Sequence, residues 1–296
     1  MDKVVTGKFA FVILHYLTEE YTESCVSSVQ KLCKSGGPKV HIYVVDNASP
    51  DGSGQRLYEK YSGNDDVTVI LGKTNAGFAR GNNAGFRRAK KDGADFIVLI
   101  NNDTEIKDPD FLTKTVSLYG KEGFAVLGPD IYCIRTGKHQ NPAVGVKIDV
   151  KTIPAQRFRF YAGRMLNLIG LYDRVFEFKK KHSKSRKSRD AYKESAVCGD
   201  GNAYVLHGSC LIFSEKYINV FDGLDPRTFM YMEEEVLAAR CRKNGLKMVY
   251  SPALQIIHYQ DAATDATLSD RRKKNEFLLK NSIRSLNVLE KVLKED

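Results

Sequence analysis

Val98–Ile106 reads VLINNDTEI, where an apolar run that begins at Phe96 stops abruptly on two amides and an acid. A run of this length suits a buried strand, and Asn, Asn and Asp do not continue one. The same event recurs upstream. Phe9–Leu14 (FAFVIL) runs into His15 and Tyr16, Val40–Val45 (VHIYVV) runs into Asp46, and VTVILG, from Val67, runs into KTNAGFARGNNAG. Between the first two runs, TEEYTESCVSSVQKL sets Tyr21, Cys25, Val29 and Leu32 at spacings of four, four and three, the stripe of an amphipathic helix. Strand and helix alternate with short connections, which predicts an α/β fold with a mostly parallel central sheet flanked by helices. Ligands of such sheets gather at the carboxyl ends of strands. The polar clusters at His15, at Asp46 to Ser49, at Asn75 to Asn83 and at Asn101 to Asp103 are therefore expected to share one crevice.

Further along, KTNAGFARGNNAG reads as a turn leading into a helical RRAKKDGA. After AVLGPDIY the periodicity fades from about Lys138 until AYVLHGSCLIFS, an apolar strand pattern, and KKKHSKSRKSRD within that interval reads as a disordered loop. MEEEVLAARCRKNGL predicts a helix with acids early, bases late and Gly245 as its stop. KMVYSPALQIIHY predicts two short strands broken at Pro252. The segment from Asp270 is helical, with Leu279, Ile283, Leu286, Leu289 and Leu293 at spacings of three and four.

The chain has 296 residues, 42% of them hydrophobic, enough for a sizeable core. No tandem repeat and no second core are evident, which predicts one domain over 1–296. Its expected parts are an amino-terminal half (8–135), a basic insertion (136–201), a second half (202–268) and a C-terminal helix (269–296). FAFVIL is far short of a membrane span and no signal-peptide pattern stands before it, so the expected location is the cytosol. Cys25, Cys33, Cys133, Cys198, Cys210 and Cys241 show no CxxC spacing, and most lie in apolar runs, as reduced core thiols do. The net charge of +10 is local: Lys151 to Lys193 holds thirteen basic and three acidic residues, and the rest of the chain holds 33 of each.

A carboxylate at the end of a buried strand can bind a hard cation such as Mg²⁺ or Mn²⁺, which a departing nucleoside diphosphate needs. Asp103 is the candidate ligand. Asn101 offers a secondary contact, and Asn102 is expected on the other side of the pleat. The plainer reading of NND is an Asx turn. Asp46 can accept the imide hydrogen of uracil or thymine, or close a turn within DNASPDGS. His258, after LQII, offers a nitrogen to the metal or serves the fold alone. Glu233, Glu234 and Glu235 open a helix, where the macrodipole alone favours acids by about 0.3 to 1 kcal/mol each. Adjacent helical acids face different ways, so one or two at most enter a site. One that accepts a hydrogen bond from an incoming hydroxyl becomes a general base, worth about 10² to 10⁴ in rate.

These blocks, in order, resemble the inverting family 2 glycosyltransferases of GT-A fold, especially their bacterial rhamnosyltransferase-like branch. The likeness covers about residues 9 to 135 and 202 to 290 and rests on VILHYLTEEYTESCVSSV, VVDNASPDGS, NAGFARGNNAGF, VLINNDTEI and the long block from GSCLIFS through FMYMEEEVLAARC to QIIHY. It implies a nucleotide-sugar donor with His15 and Tyr16 beside the nucleotide, Asp46 reading the pyrimidine, and Asn47 and Ser49 nearby. It further implies Asn75, Arg80, Asn82 and Asn83 along the ribose or diphosphate, and Asn101 and Asn102 beside a divalent metal on Asp103 and His258. The family's base falls on Glu234, a Glu where Asp is usual, with Glu233 as an alternative. Leu17 replaces a usual Asn, Asn102 a usual Pro, and Val236 an acid. The implied reaction is a single displacement with inversion, from dTDP-rhamnose or a UDP-hexose to a glycan or lipid-linked glycan, in bacterial cell-surface polysaccharide synthesis.

FRFYAGRMLNLIGLYDRVFEFKKK mixes aromatic, aliphatic and basic residues, as a helix lying on an anionic bilayer does. A loop packed on the domain has the same composition. A peripheral place at the inner face of the plasma membrane follows from the first reading. Two rival functions remain on sequence grounds: a nucleic-acid- or membrane-binding protein on a catalytically idle fold, and a sugar nucleotidyltransferase. The last expects a Gly-rich phosphate loop after the first strand, and HYLTEEYTES has none.

Overall fold

The computed structural model describes residues 7–33, 37–144, 148–182, 193–198, 204–259 and 270–295. Its elements in chain order are β1 (Phe9–His15), α1 (Glu19–Gln30), β2 (Val40–Asp46), α2 (Ser53–Lys60), β3 (Val67–Leu71), α3 (Gly77–Lys91), β4 (Phe96–Asn101), β5 (Thr104–Ile106), α4 (Phe111–Glu122) and β6 (Val126–Cys133). There follow β7 (Lys138–His139), β8 (Ala143–Val144), a 3₁₀ turn (Val150–Thr152), α5 (Ile153–Leu168), α6 (Tyr172–His182), β9 (Ala196–Cys198), β10 (Tyr204–Val205), β11 (Cys210–Ser214), α7 (Glu215–Ile218), α8 (Glu233–Lys243), β12 (Met248–His258) and α9 (Arg271–Lys294).

Strand periodicity builds two cores. Phe9, Phe11 and Ile13 of β1 join Val98 and Ile100 of β4 on one face, under Cys25, Val26 and Val29 of α1. Ala10 and Val12 join Ile97 and Leu99 on the other face, under Ala79, Phe86 and Ala89 of α3. A strand covered on both faces is apolar throughout, which is why these runs do not alternate. Among the described residues ten strands form one sheet, in the order β3-β2-β1-β4-β11-β6-β12-β5, with β7 on β6 and β9 on β12. The β3 to β4 half is parallel. From β11 onward the sheet is mixed, since β11 runs against both β4 and β6 while β12 runs with β6. The sheet is α/β with flanking helices, as expected.

Several local expectations need correcting. The stretch read as a turn, KTNAGFARGNNAG, is helical from Gly77 onward. Its glycines are there for contact: a Cβ on Gly85 would lie 2.4 Å from Val12 Cγ1, and one on Gly81 2.6 Å from Leu14 Cδ1. KMVYSPALQIIHY is one strand, not two. Its register against β6 shifts between Ser251 and Gln255, and Pro252 sits in that irregularity, where no ladder donor is needed. AYVLHGSCLIFS is two strands, β10 and β11, parted by a turn at Gly208 and Ser209. The interval read as aperiodic contains α5 and α6. Large apolar residues lie on both the covered and the open sides of α5, so no single stripe marks it. The loop read in KKKHSKSRKSRD lies, beyond His182, outside the described residues. Cys25, Cys133, Cys210 and Cys241 are free and buried, whereas Cys33 is exposed. The Cys198 side chain lies outside the described residues.

A third core joins Ile153 of α5, Val236 and Ala239 of α8, and Leu286, Leu289 and Val292 of α9. It fixes the start of α8 relative to the sheet. No helix among the described residues is long and apolar enough to cross a membrane.

Candidate active site

The carboxyl ends of β1, β2, β4 and β12 meet the start of α8 and the side of α9 around a cavity of about 650 Å³, a size usual for small-molecule sites. Tyr16, Asn47, Asn75, Asn101, Asn102 and Asp103 line it from the parallel half. Glu233, Glu234, Glu235 and His258 line it from the other half. A more open groove of about 880 Å³ beside α1 and β5 holds none of the predicted site residues.

The NND turn carries the chain from β4 to β5 and out to β12. Thr104 pairs with His258 across the β5–β12 ladder, and the Tyr259 amide donates to the Asp103 carbonyl at 2.9 Å. That register sets His258 Nε2 3.3 Å from Asp103 Oδ1, with both side chains buried. On the far side of the ring, His258 Nδ1 lies 2.6 Å from Gln140 Oε1. An amide oxygen only accepts, so Nδ1 donates in this contact, which leaves Nε2 as the nitrogen that can ligate a metal shared with Asp103. Neighbouring corners of an octahedral shell of about 2.0 to 2.1 Å radius lie about 2.9 Å apart, a few tenths of an ångström closer than this pair. The donor set fits Mg²⁺ or Mn²⁺ shared with a substrate: among the described residues no cluster of three or more His, Cys, Asp or Glu side chains encloses an ion alone, and Mg²⁺ in particular is held by few protein groups plus phosphates and water. Asn102 does not merely shape the turn. Its amide donates to Thr18 Oγ1 (2.9 Å) and Thr22 Oγ1 (3.0 Å), tying the turn to α1.

Two successive left-handed residues, Tyr231 (φ 70°) and Met232 (φ 64°), aim α8 at the cavity. Such backbone is uncommon outside glycine and persists only when its surroundings hold it. The hold is visible: the Phe78 amide donates to the Phe229 carbonyl at 2.7 Å. Gly77 (φ 80°) permits the approach, since a Cβ there would lie 2.2 Å from that carbonyl oxygen.

The three acids differ in surroundings. Glu234 Oε1 accepts the Gly208 amide hydrogen at 3.0 Å. Glu233 is buried, with Oε1 bonded to nothing. Burial, and then the Glu234 carboxylate beside it, push its pKa up to about 8. The same two causes push Glu235 up to about 7. At neutral pH Glu233 is therefore largely protonated, able to donate a hydrogen bond and poorly suited to take a proton.

Six expected contact residues lie outside the cavity wall, each engaged elsewhere. His15 is fully buried, its Nδ1 2.7 Å from Thr22 Oγ1 and its Nε2 2.8 Å from Ser53 Oγ, and burial lowers its pKa. It joins β1 to α1 and α2 as a neutral ring. Asp46 accepts the Ser49 amide hydrogen at 3.1 Å, and the Ser49 hydroxyl accepts from the Leu17 amide at 2.9 Å. Arg80 is exposed and its Nε donates to the Pro226 carbonyl at 2.7 Å. Asn82 caps a carbonyl one turn back in α3, Phe78 O, at 3.0 Å. Asn83 holds Leu224 at both ends, donating to its carbonyl (2.8 Å) and accepting from its amide (2.7 Å). Short polar side chains near strand ends serve turns and ligands alike, so composition could not separate the two.

Sequence reasoning also missed wall residues. Gln140 carries no motif. His207 and Gly208 lay hidden inside an apparent strand, although a Gly beside a His in an apolar run signals a break. Phe229, Tyr231 and Phe277 form an aromatic wall, with Phe277 set edge-on to the other two rings at 6.4 and 6.2 Å.

Residues 10–221 match the family model described as glycosyl transferase family 2. Over 293 residues the chain is 22% identical to the low-salt glycan biosynthesis hexosyltransferase Agl10 of Haloferax volcanii, covering 97% of this chain and 80% of that one. A 59-residue stretch is 37% identical to the N-acetylglucosaminyl-diphospho-decaprenol L-rhamnosyltransferase of Mycobacterium tuberculosis, 20% of this chain and 19% of that one. Among solved structures, GalNAc-T7 with UDP, GalNAc and Mn²⁺ superposes with a TM-score of 0.58 at 13% identity. That match covers 85% of this chain and 43% of that one, and it is a likeness of fold, the GT-A fold.

Proposed function

The chain belongs to glycosyl transferase family 2, and we propose that it moves a sugar from a nucleotide-sugar donor to a glycan or lipid-linked glycan by one displacement that inverts the anomeric centre. The observation that carries this reading is the presence of the Asp103–His258 pair and Glu234 on the walls of one cavity.

In this reading the donor's nucleotide lies against Tyr16, Asn47 and Asn75, and its diphosphate reaches Asn101 and Asp103. Asp103 and His258 would hold Mg²⁺ or Mn²⁺, which would supply positive charge against the leaving diphosphate. Gln140 fixes the His258 ring. Gly208 holds the Glu234 carboxylate, which takes the acceptor hydroxyl's proton as that oxygen attacks. Glu233 stays protonated and donates its hydrogen to a sugar or acceptor oxygen. The aromatic wall at Phe229, Tyr231 and Phe277 excludes water from the reacting centre. Residues 8–135 and 202–268 act as one domain, and the work is done on the cytoplasmic side of a membrane.

The Mycobacterium tuberculosis relative is a rhamnosyltransferase and the Haloferax volcanii relative a hexosyltransferase, so dTDP-rhamnose and UDP-hexoses lead the donor panel. The test is metal-dependent transfer or hydrolysis of dTDP-rhamnose, UDP-glucose, UDP-galactose and their N-acetyl forms. Activity with one donor that Asp103→Ala removes is expected. Full activity in that variant, or none with any donor, overturns the mechanism.

A further inference from the structure

The hairpin α5–α6 carries large apolar side chains on its open side as well as its covered one. On the covered side Ile153 and Phe160 join the core with α8 and α9, Gly163 lies against Leu279 of α9, and Asn167 Nδ2 donates to the Arg272 carbonyl at 3.0 Å. Its outer side is large and apolar. Phe158 (76% exposed), Tyr161, Met165 and Leu168 follow at spacings of three, four and three along one face of α5. Ile169 and Leu171 continue the exposed run to the start of α6, and Phe176 extends it along that helix. Isolated exposed apolar side chains are ordinary, but a continuous set of this size marks an interaction surface.

The exposed charge beside that surface is basic. Lys151, Arg159 and Arg174 are exposed, while Arg157 and Arg164 pair with Glu290 and Glu276 of α9. Asp173 and Glu177 already face Arg271 of α9. A second copy docking by the same face would set this cationic ring against itself, because a twofold interface pairs a patch with its own image. An anionic bilayer offers what the patch lacks, negative headgroups for the ring and acyl chains for the aromatic stripe.

We propose that the outer face of α5–α6 docks the protein on an anionic lipid bilayer. Its place in the fold gives the docking a use. Arg164 Nε donates to Glu276 Oε1 at 3.0 Å and Asn275 Nδ2 to Asp173 Oδ1 at 3.1 Å, so the hairpin is held by the turn of α9 whose Phe277 and Leu278 line the cavity. A lipid surface under the hairpin thus lies beside the aromatic end of the site, where a lipid-linked acceptor would enter. That use rests on the transfer reading above, whereas docking itself does not.

The test is flotation of the full chain with vesicles of phosphatidylcholine alone or with about one-third phosphatidylglycerol. Binding to the anionic vesicles, weaker by about tenfold or more on the neutral ones and falling with salt, is expected. Phe158→Ser with Met165→Ser and Phe176→Ser should lower binding about tenfold or more at an unchanged melting point. Should that triple variant fail to fold, Arg159→Glu with Arg174→Glu carries the same test. Nucleotide binding, measured by calorimetry without vesicles, should be unaltered, which separates failure of docking from failure of the site. No anionic binding, or unchanged binding in both variants, overturns the proposal. So does a dimer in sedimentation velocity that the triple variant dissolves, or an oligonucleotide that binds more tightly than the vesicles.

Discussion

His258 Nε2 lies 3.3 Å from Asp103 Oδ1, and Gln140, 118 residues away in sequence, holds the opposite ring nitrogen at 2.6 Å. A group behind a ligand sets its tautomer and aim, and losing one typically weakens metal binding about 10- to 100-fold. Gln140→Leu should therefore weaken Mn²⁺ binding by about that factor, read by calorimetry in the presence of nucleoside diphosphate. Unchanged affinity would remove Gln140 from the metal station.

Glu234→Gln keeps shape and the Gly208 contact while removing the proposed base. A fall in kcat of about 10² to 10⁴ is expected, with donor affinity nearly unchanged. The same substitution at Glu233 should cost less, since that carboxyl is already protonated near neutral pH. Should Glu233→Gln prove the more damaging of the two, the assignment of the base reverses.

Gly208→Ala tests placement instead of chemistry. The added Cβ would lie 2.7 Å from Glu234 Oε1, so the carboxylate must move. Displacement of about 1 Å can cost about 10²-fold in rate. We expect kcat to drop by about ten- to a hundredfold with KM for the donor little changed, measured by steady-state kinetics.

Much of this was legible in the sequence. The apolar runs of β1, β2 and β4 and the stripe of α1 announced the fold, because burial on both faces leaves few other compositions. Asp103, His258 and Glu234 could be expected to meet at one cavity because each ends a strand or opens a helix. His15, Asn82 and Asn83 were expected there too, yet lie outside its wall, because an imidazole or amide beside a strand end looks the same whether it binds a ligand or its own loop. Gln140 could not be found at all, since its role arises only when β12 folds back beside β6, and α5 was hidden by its outward apolar face.

The buried acids make stability depend on pH. A carboxyl such as Glu233, raised to about 8 in the fold from an ordinary 4.5, holds a proton in the native state that the unfolded chain has lost. Stability from this group is thus full below about pH 4.5, falls as pH rises through the window to about 8, and levels off above it. Glu233→Gln should flatten the melting-point profile between those limits and make the variant the more stable protein at pH 8, by an amount on the order of a few kcal/mol. Parallel thermal melts of the two proteins across that range check it, and identical profiles would show that Glu233 ionises normally.

Asn83, expected to touch the donor, instead braces Leu224 through both backbone groups from a buried position. Removing it strands a buried donor and a buried acceptor, at about 1 to 3 kcal/mol for each group left without a partner. Asn83→Ala should lower the melting point accordingly while leaving nucleotide affinity, measured well below that melting point, within about twofold of the parent. Gly223 leaves room for this brace, because a Cβ on that glycine would lie 2.1 Å from Asn83 Oδ1. A variant that keeps its melting point but loses nucleotide binding would return Asn83 to the donor site and displace the bracing role argued from its geometry.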